Sequence, residues 1–280
     1  MATGSAQRAP GAAWVSRQAW TLERFGLSPA KLPKRLSDQG APRVFCVSIP
    51  KSGTHLLERA LCLHPALYRK LVPTISGANV GKFGGLASLV RRIRPGQVVV
   101  SHLRHSEADE RTLADAGVRG LFMVRNPRDL VVSQIHYVTK RTDHRLHDLF
   151  SALPDKRARL RKAIVGDAAA GLPSIAERLA YFEGWLSSDL LLVRFEDLVG
   201  SSGGGDAGRQ RDLLRTVFEH LGVDASPARV DAVATRLFSA DSPTFRSGQV
   251  GSSRDFFDEE LEELFRTTIG THAEPYGYDV

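Results

Sequence analysis

Apolar residues in this chain follow two rhythms. From Arg43 onward, short β-branched and aromatic runs alternate with longer stretches of helical spacing, the pattern of parallel strands joined by helical crossovers. Four runs read as strands: Val44 to Ile49, Gln97 to Ser101, Leu121 to Arg125 and Leu190 to Phe195. Each is nearly continuous in apolar residues, as a strand covered on both faces must be. The expected fold class is therefore α/β, a single domain with a central parallel sheet flanked by helices. Every run passes into polar or charged residues at its carboxyl end, the edge where open parallel sheets bind ligands.

Composition narrows the picture only in places. A chain of 280 residues, 42% hydrophobic and 25% charged, has material for a sizeable core and excludes disorder or fibrous repeats as a description of the whole. Its longest apolar runs, such as Val98 to Val100 and Leu190 to Val193, fall far short of the ~20 residues that cross a bilayer, so no membrane association is expected. A formal charge of +7 favours an anionic partner: nucleic acid, acidic lipid or a phosphorylated small molecule. Cys46 and Cys62 lack metal-ligand spacing and read as buried thiols in a reducing compartment; the expected location is cytoplasmic. Residues 1–40 are rich in Ala, Arg and Pro and lack the continuous apolar core of a secretory signal. They read as a partly ordered arm with a short helix around Trp14 to Phe25, a transit peptide being the alternative, and residues 41–280 as the functional domain.

Four strand ends carry candidate chemistry. After the first, Pro50-Lys51-Ser52-Gly53-Thr54 leads into a helical pattern through Leu61. Amides of Ser52, Gly53 and Thr54 at a helix N-terminus favour an anion, Gly53 permits close backbone approach, and Lys51 adds a full charge. This P-loop-like turn is not the nucleoside triphosphatase loop, because Lys51 precedes Gly53 and no earlier glycine opens it. Beyond the second strand stands His102, an imidazole suited to accept a proton near neutral pH. The third leads through Arg125-Asn126-Pro127-Arg128-Asp129 into a helix carrying Ser133, with Arg125 and Ser133 facing a second anion. The fourth ends in Phe195-Glu196-Asp197-Leu198, and a later segment, Phe245 to Phe257, has the Gly and Ser content of a loop with two guanidiniums, Arg246 and Arg254.

In this order, from about Val44 to Tyr278, these segments resemble the sulfotransferases that use 3′-phosphoadenosine 5′-phosphosulfate (PAPS). The resemblance implies that Lys51, Ser52, Gly53, Thr54 and His55 hold the 5′-phosphosulfate, Arg125 and Ser133 the 3′-phosphate, and Phe195 the neighbourhood of adenine. Arg246, Ser247 and Gly248 stand where the family closes over its cofactor. His102 matches the family's base, and Lys51 its stabiliser of the leaving phosphate, so His102 and Lys51 are the expected catalytic pair. No metal is implied. Departures stand beside the matches: Leu56 aligns with the usual stacking Trp, His55 with a Thr, Ser247 with a Lys, and Val100 with a Lys two residues before the base.

The implied reaction moves a sulfuryl group from PAPS to a hydroxyl or amine of a small-molecule acceptor, leaving 3′-phosphoadenosine 5′-phosphate (PAP). Tyr68 to Leu89, Ser133 to Phe150 and Pro154 to Gly171 are the expected acceptor walls. The five cations between Lys156 and Lys162 read as a solvated helix face or a contact for an acidic acceptor, and Ser201 to Gly208 as a flexible excursion. A metal-dependent phosphotransferase and a non-catalytic nucleotide-binding protein are the alternatives. No nucleic-acid partner is expected, because the aromatic array of single-strand binders is missing; the sequence specifies no oligomeric state.

Overall fold

The computed structural model describes residues 18–37, 40–238 and 249–279. Five parallel strands form one sheet in the order β2-β3-β1-β4-β5: β1 Val44–Ser48, β2 Tyr68–Arg69, β3 Gln97–Ser101, β4 Arg119–Val124 and β5 Leu191–Arg194. The four expected strands are present, and the two-residue β2 is the one the apolar pattern does not announce. Phe195 does not end a strand as expected. It opens a short helix, because the last ladder pair of β4 and β5 is Val124 with Arg194.

Alternation along the strands divides the core into two layers, as the pleat requires. Phe45, Val47, Val99, Phe122 and Val124 face one side. There they meet helices α2 (Gly85–Arg91), α4 (Pro127–Lys140), α6 (Lys156–Val165), α7 (Ile175–Glu183) and α11 (Glu259–Ile269). Val44, Cys46, Val98, Val100, Leu121, Met123 and Val193 face the other, under α1 (Thr54–Leu63), α9 (Ala207–Leu221) and α10 (Pro227–Leu237). Further helices are Leu32–Ser37, ahead of the sheet, α3 (Glu107–Asp115), α5 (His147–Ser151) and α8 (Phe195–Leu198). Among the described residues, no helix is long and apolar enough to cross a membrane. Both cysteines are free and buried.

Residues 18–37 lie against the α1 layer. Trp20 packs on that core with the Arg59 guanidinium 4.4 Å from its ring, and Arg24 pairs with the buried Glu58 of α1. Lys31 is itself buried, donating to the Leu67 carbonyl at 2.7 Å and to that of Cys62. Residues 201–208 are ordered differently from the expected excursion: a 3₁₀ turn, Ser201–Gly203, runs into the Asp206 cap of α9, and Val250 donates to the Gly203 carbonyl at 2.9 Å.

The chain leaves β1 for β2 and β3 on one side and returns through β4 and β5 on the other. This reversal of strand order opens a crevice at the carboxyl edge. The loop after β1, His102 after β3, Arg125 after β4 and Phe195 after β5 all start from that edge.

Candidate active site

The loop between β1 and α1 is backbone held in an unusual shape. Lys51 has φ 79°, the one positive value for a non-glycine among the described residues, and Gly53 has φ 102°. A Cβ at Gly53 would stand 2.6 Å from Phe195 Cδ2 and 2.9 Å from Met123 Cε, so only glycine fits. Left-handed backbone at a lysine costs about 1–3 kcal/mol and collects at functional sites.

The expected donors of this loop divide. Ser52 is fully buried; its amide donates to the Ile49 carbonyl at 3.0 Å and its hydroxyl to the Met123 carbonyl at 3.1 Å. Ser52 therefore pins the loop to β4 instead of presenting donors outward. Thr54 Oγ1 shares a 2.9 Å hydrogen bond with Ser48 Oγ. The amides of Gly53 and Thr54 take no backbone partner among the described residues and stay, with the Lys51 ammonium, as donors of the loop. That ammonium lies 3.6 Å from the centre of the Tyr137 ring. Burial, with Arg125 and Arg141 nearby, pulls its pKa down to about 8. His55 is exposed on the first turn of α1, while Leu56 is buried in the core beneath it.

His102 follows β3 directly, its amide donating to the Ile75 carbonyl at 2.7 Å. Nδ1 lies 2.8 Å from the Ser48 carbonyl and 3.1 Å from Ser48 Oγ. A carbonyl only accepts, so the bonded tautomer carries its proton on Nδ1 and leaves the Nε2 lone pair free. Burial lowers the pKa of this ring, with His55 and Lys51 adding to the effect and the Ser48 hydrogen bond opposing it. The imidazole is thus neutral near pH 7, as a base must be.

Arg125 continues β4 by one residue, and the register sets it beside Phe195: the guanidinium carbon lies 4.1 Å from that ring's centre. Phe195 is clamped between Arg125 and Gly53. The Arg125 side chain is almost fully buried, donating to the Gln249 carbonyl at 3.0 Å and reaching Asp129 Oδ2 at 3.3 Å, while its Nε has no partner among the described residues. Asp129 is fully buried. It accepts from the amides of Gly251 and Ser253 at 3.1 and 2.9 Å and from the Ser252 hydroxyl at 3.2 Å. Ser133, one turn further along α4, is half-buried. Glu196 braces this end, accepting from the Asn126 amide at 2.8 Å and the Tyr278 hydroxyl at 2.9 Å.

The structure thus brings Lys51, Gly53, Thr54, His102, Arg125 and Phe195 to one crevice. Arg246, Ser247 and Gly248 lie outside the described residues. The segment after them is fastened three times: to Asp129, to α4 and α6 through Phe256, which meets the His136 ring edge-on and the Lys156 ammonium at 2.8 Å, and to Arg157 through Asp258 at 2.8 Å. Two of the five α6 cations, Arg157 and Arg161, pair with Glu260 at the acidic start of α11, while Lys162 pairs with Asp167 at 3.1 Å.

Sequence reasoning passed over Ser48 and Tyr137. Ser48 was visible as the last polar residue of an apolar strand. Tyr137 carried no signal, because its meeting with Lys51 is made only by the packing of α4.

The family model described as the Sulfotransferase domain matches residues 41–277, and the chain belongs to that family. Mouse sulfotransferase SULT7A1 complexed with PAP is similar in fold: 18% identity over 95% of this chain and 93% of that one, TM-score 0.62. Retinol dehydratase in complex with androsterone and the inactive cofactor PAP gives 14% identity over 90% of each chain, TM-score 0.57. A second structure of retinol dehydratase, with retinol and PAP, covers 89% of this chain and 88% of that one at 14% identity, TM-score 0.55. No curated protein sequence matches the chain.

Proposed function

We propose that this protein is a PAPS-dependent sulfotransferase acting on a hydroxyl or amine of a small-molecule acceptor. The observation that carries the reading is that two cationic elements meet at one aromatic ring: the Lys51–Gly53 turn packs against Phe195, and the Arg125 guanidinium lies 4.1 Å from that ring's centre. A nucleotide with anionic groups on both the 3′ and 5′ positions of its ribose matches that pair of cations. The buried Arg125 Nε, without a partner among the described residues, fits a phosphate oxygen, since an orphaned guanidinium donor costs about 1–3 kcal/mol. When bound, PAPS supplies the activated sulfuryl group.

This chain's residues then have distinct tasks. His102 Nε2 takes the proton of the acceptor, with Ser48 fixing tautomer and orientation through Nδ1. Lys51 turns from the Tyr137 face toward the charge that grows on the leaving phosphate, a preorganised electrostatic contribution. Gly53 lends its amide and its lack of a side chain, and His55 stands at the loop's outer rim. Phe195, buried behind Gly53 and Arg125, backs the adenine end of the site, and Arg125 with Ser133 holds the far phosphate. Ser52 and Asp129 support the site without touching the ligand, by holding the loop and the 251–253 segment.

The test is incubation with radiolabelled PAPS and a panel of phenols, alcohols, sugars and amines, with and without Mg²⁺. Label transfer independent of the metal is the expected result. Transfer of phosphate from a nucleoside triphosphate, and none of sulfate, would establish the phosphotransferase instead.

A further inference from the structure

Past His102 the chain alternates in burial: Leu103 is buried, Arg104 exposed and His105 half-buried. Leu103 belongs to the core, and its carbonyl accepts the Trp185 indole N–H at 3.1 Å. The His105 ring stands edge-on to Trp185 with centres 5.0 Å apart, its Nε2 lies 2.7 Å from Glu110 Oε2, and its amide donates to the Tyr181 carbonyl at 2.8 Å. Leu103 and His105 turn inward, while Arg104, two residues past His102, is exposed. Two residues of chain span at most about 7 Å, within reach of one small molecule touching both side chains.

The Arg104 guanidinium lies 3.5 Å from the centre of the Tyr181 ring. Stacking of this kind fixes the plane of the fork while leaving its edge N–H groups free to donate. Among the described residues, Arg104 has no hydrogen bond or ion pair. Glu177, one turn before Tyr181 on α7, is the nearby acid whose charge it feels. That carboxylate is already committed to the Ser174 amide and hydroxyl at 2.8 and 2.9 Å as the capping box of α7. On the same helix Arg178, 5% exposed, donates to Gln134 of α4, and among the described residues its Nη1 has no partner. No carboxylate pairs with Arg178 among the described residues, and burial alone lowers its pKa to about 10.

We propose that Arg104 is a specificity-determining residue that selects acceptors carrying an oxyanion, a carboxylate or a sulfate ester, in addition to the group that faces His102. This rests on the sulfotransferase reading above. A stacked, unpaired guanidinium two residues from the base matches a planar or trigonal set of oxygens.

The test is calorimetric titration of wild type and Arg104→Ala, each first saturated with PAP, using matched phenols. The anionic arms are 4-hydroxyphenylacetate, 4-hydroxyphenylpropionate and 4-hydroxyphenyl sulfate; the neutral arms are the corresponding carboxamides and 4-methoxyphenol. At least one anionic member should bind wild type ten-fold or more tighter than its neutral partner. Arg104→Ala should erase that preference at unchanged PAP affinity and unchanged melting temperature, and Arg104→Lys should restore part of it. The proposal is overturned by equal affinities within every pair, by no binding across the panel, or by a preference that survives in Arg104→Ala. Failure of wild type to bind PAP would sink the sulfotransferase reading separately, and the same titrations on PAP-free protein then decide Arg104 by the same criteria.

Discussion

The two cationic ends of the crevice are built in opposite ways. The Lys51 end is a contiguous strand, turn and helix, Val44 to Leu63, pinned from outside mainly by Ser52 on the Met123 carbonyl. The Arg125 end is assembled from afar: Asp129 gathers donors from residues 251–253, and Gln249 meets the guanidinium itself. A local turn can be damaged in function while the fold survives. A buried carboxylate that holds a distant segment joins ligand binding to stability.

The sharpest probe of the local end is removal of its chemistry. His102→Ala should lower turnover by ~10²–10⁴-fold, the range for loss of a general base, and Lys51→Ala should also abolish most of it. Both should melt within about 2 °C of wild type; near-normal sulfation by either variant breaks the assignment. At the assembled end, Asp129→Ala leaves the Arg125 charge buried and uncompensated. A loss of about 3–5 kcal/mol is expected, read as a fall in the denaturant midpoint together with weaker PAP binding. An unchanged midpoint would remove the contrast between the two ends.

Smaller effects refine it. Arg125→Ala should weaken PAP by about ten-fold or more, since hydrogen bonds to charged groups contribute ~1.5–3 kcal/mol; equal affinity by calorimetry contradicts its role. The pH profile of kcat/KM, which reports the free enzyme, should be a bell. Its acid limb lies below the ordinary histidine range, because His102 must be neutral and its pKa is lowered. Its alkaline limb lies near 8, because Lys51 must be charged and its pKa is about 8. An acid limb at or above 6.5 would show that another group titrates. Last, Ser252→Ala removes one of the contacts to Asp129 and should weaken PAP only a few-fold, in keeping with about 1 kcal/mol for one hydrogen bond.

How much of this was written in the chain follows the same division. Strands β1, β3, β4 and β5 were legible because sheets covered on both faces demand nearly unbroken apolar runs. The loop after β1, His102 and Arg125 were legible because strand ends in a parallel sheet place polar residues at a common edge. β2 was not, since two residues carry no period, and Phe195 changed from strand end to helix start when the ladder with β4 stopped at Arg194. The serine hydroxyls misled: Ser52 has the right type and position for an anion ligand, yet tertiary carbonyls take its donors.

Sequence alone determined the family, the sheet, and which side chains stand at its carboxyl edge, because those depend on local pattern and on residues adjacent along the chain. Tertiary structure decided the rest: that Lys51 rests on Tyr137, that Ser48 sets the tautomer of His102, that Asp129 holds residues 251–253, and that Arg104 stacks on Tyr181. Each joins residues distant in sequence or on different elements, so each exists only once helices have packed against the sheet.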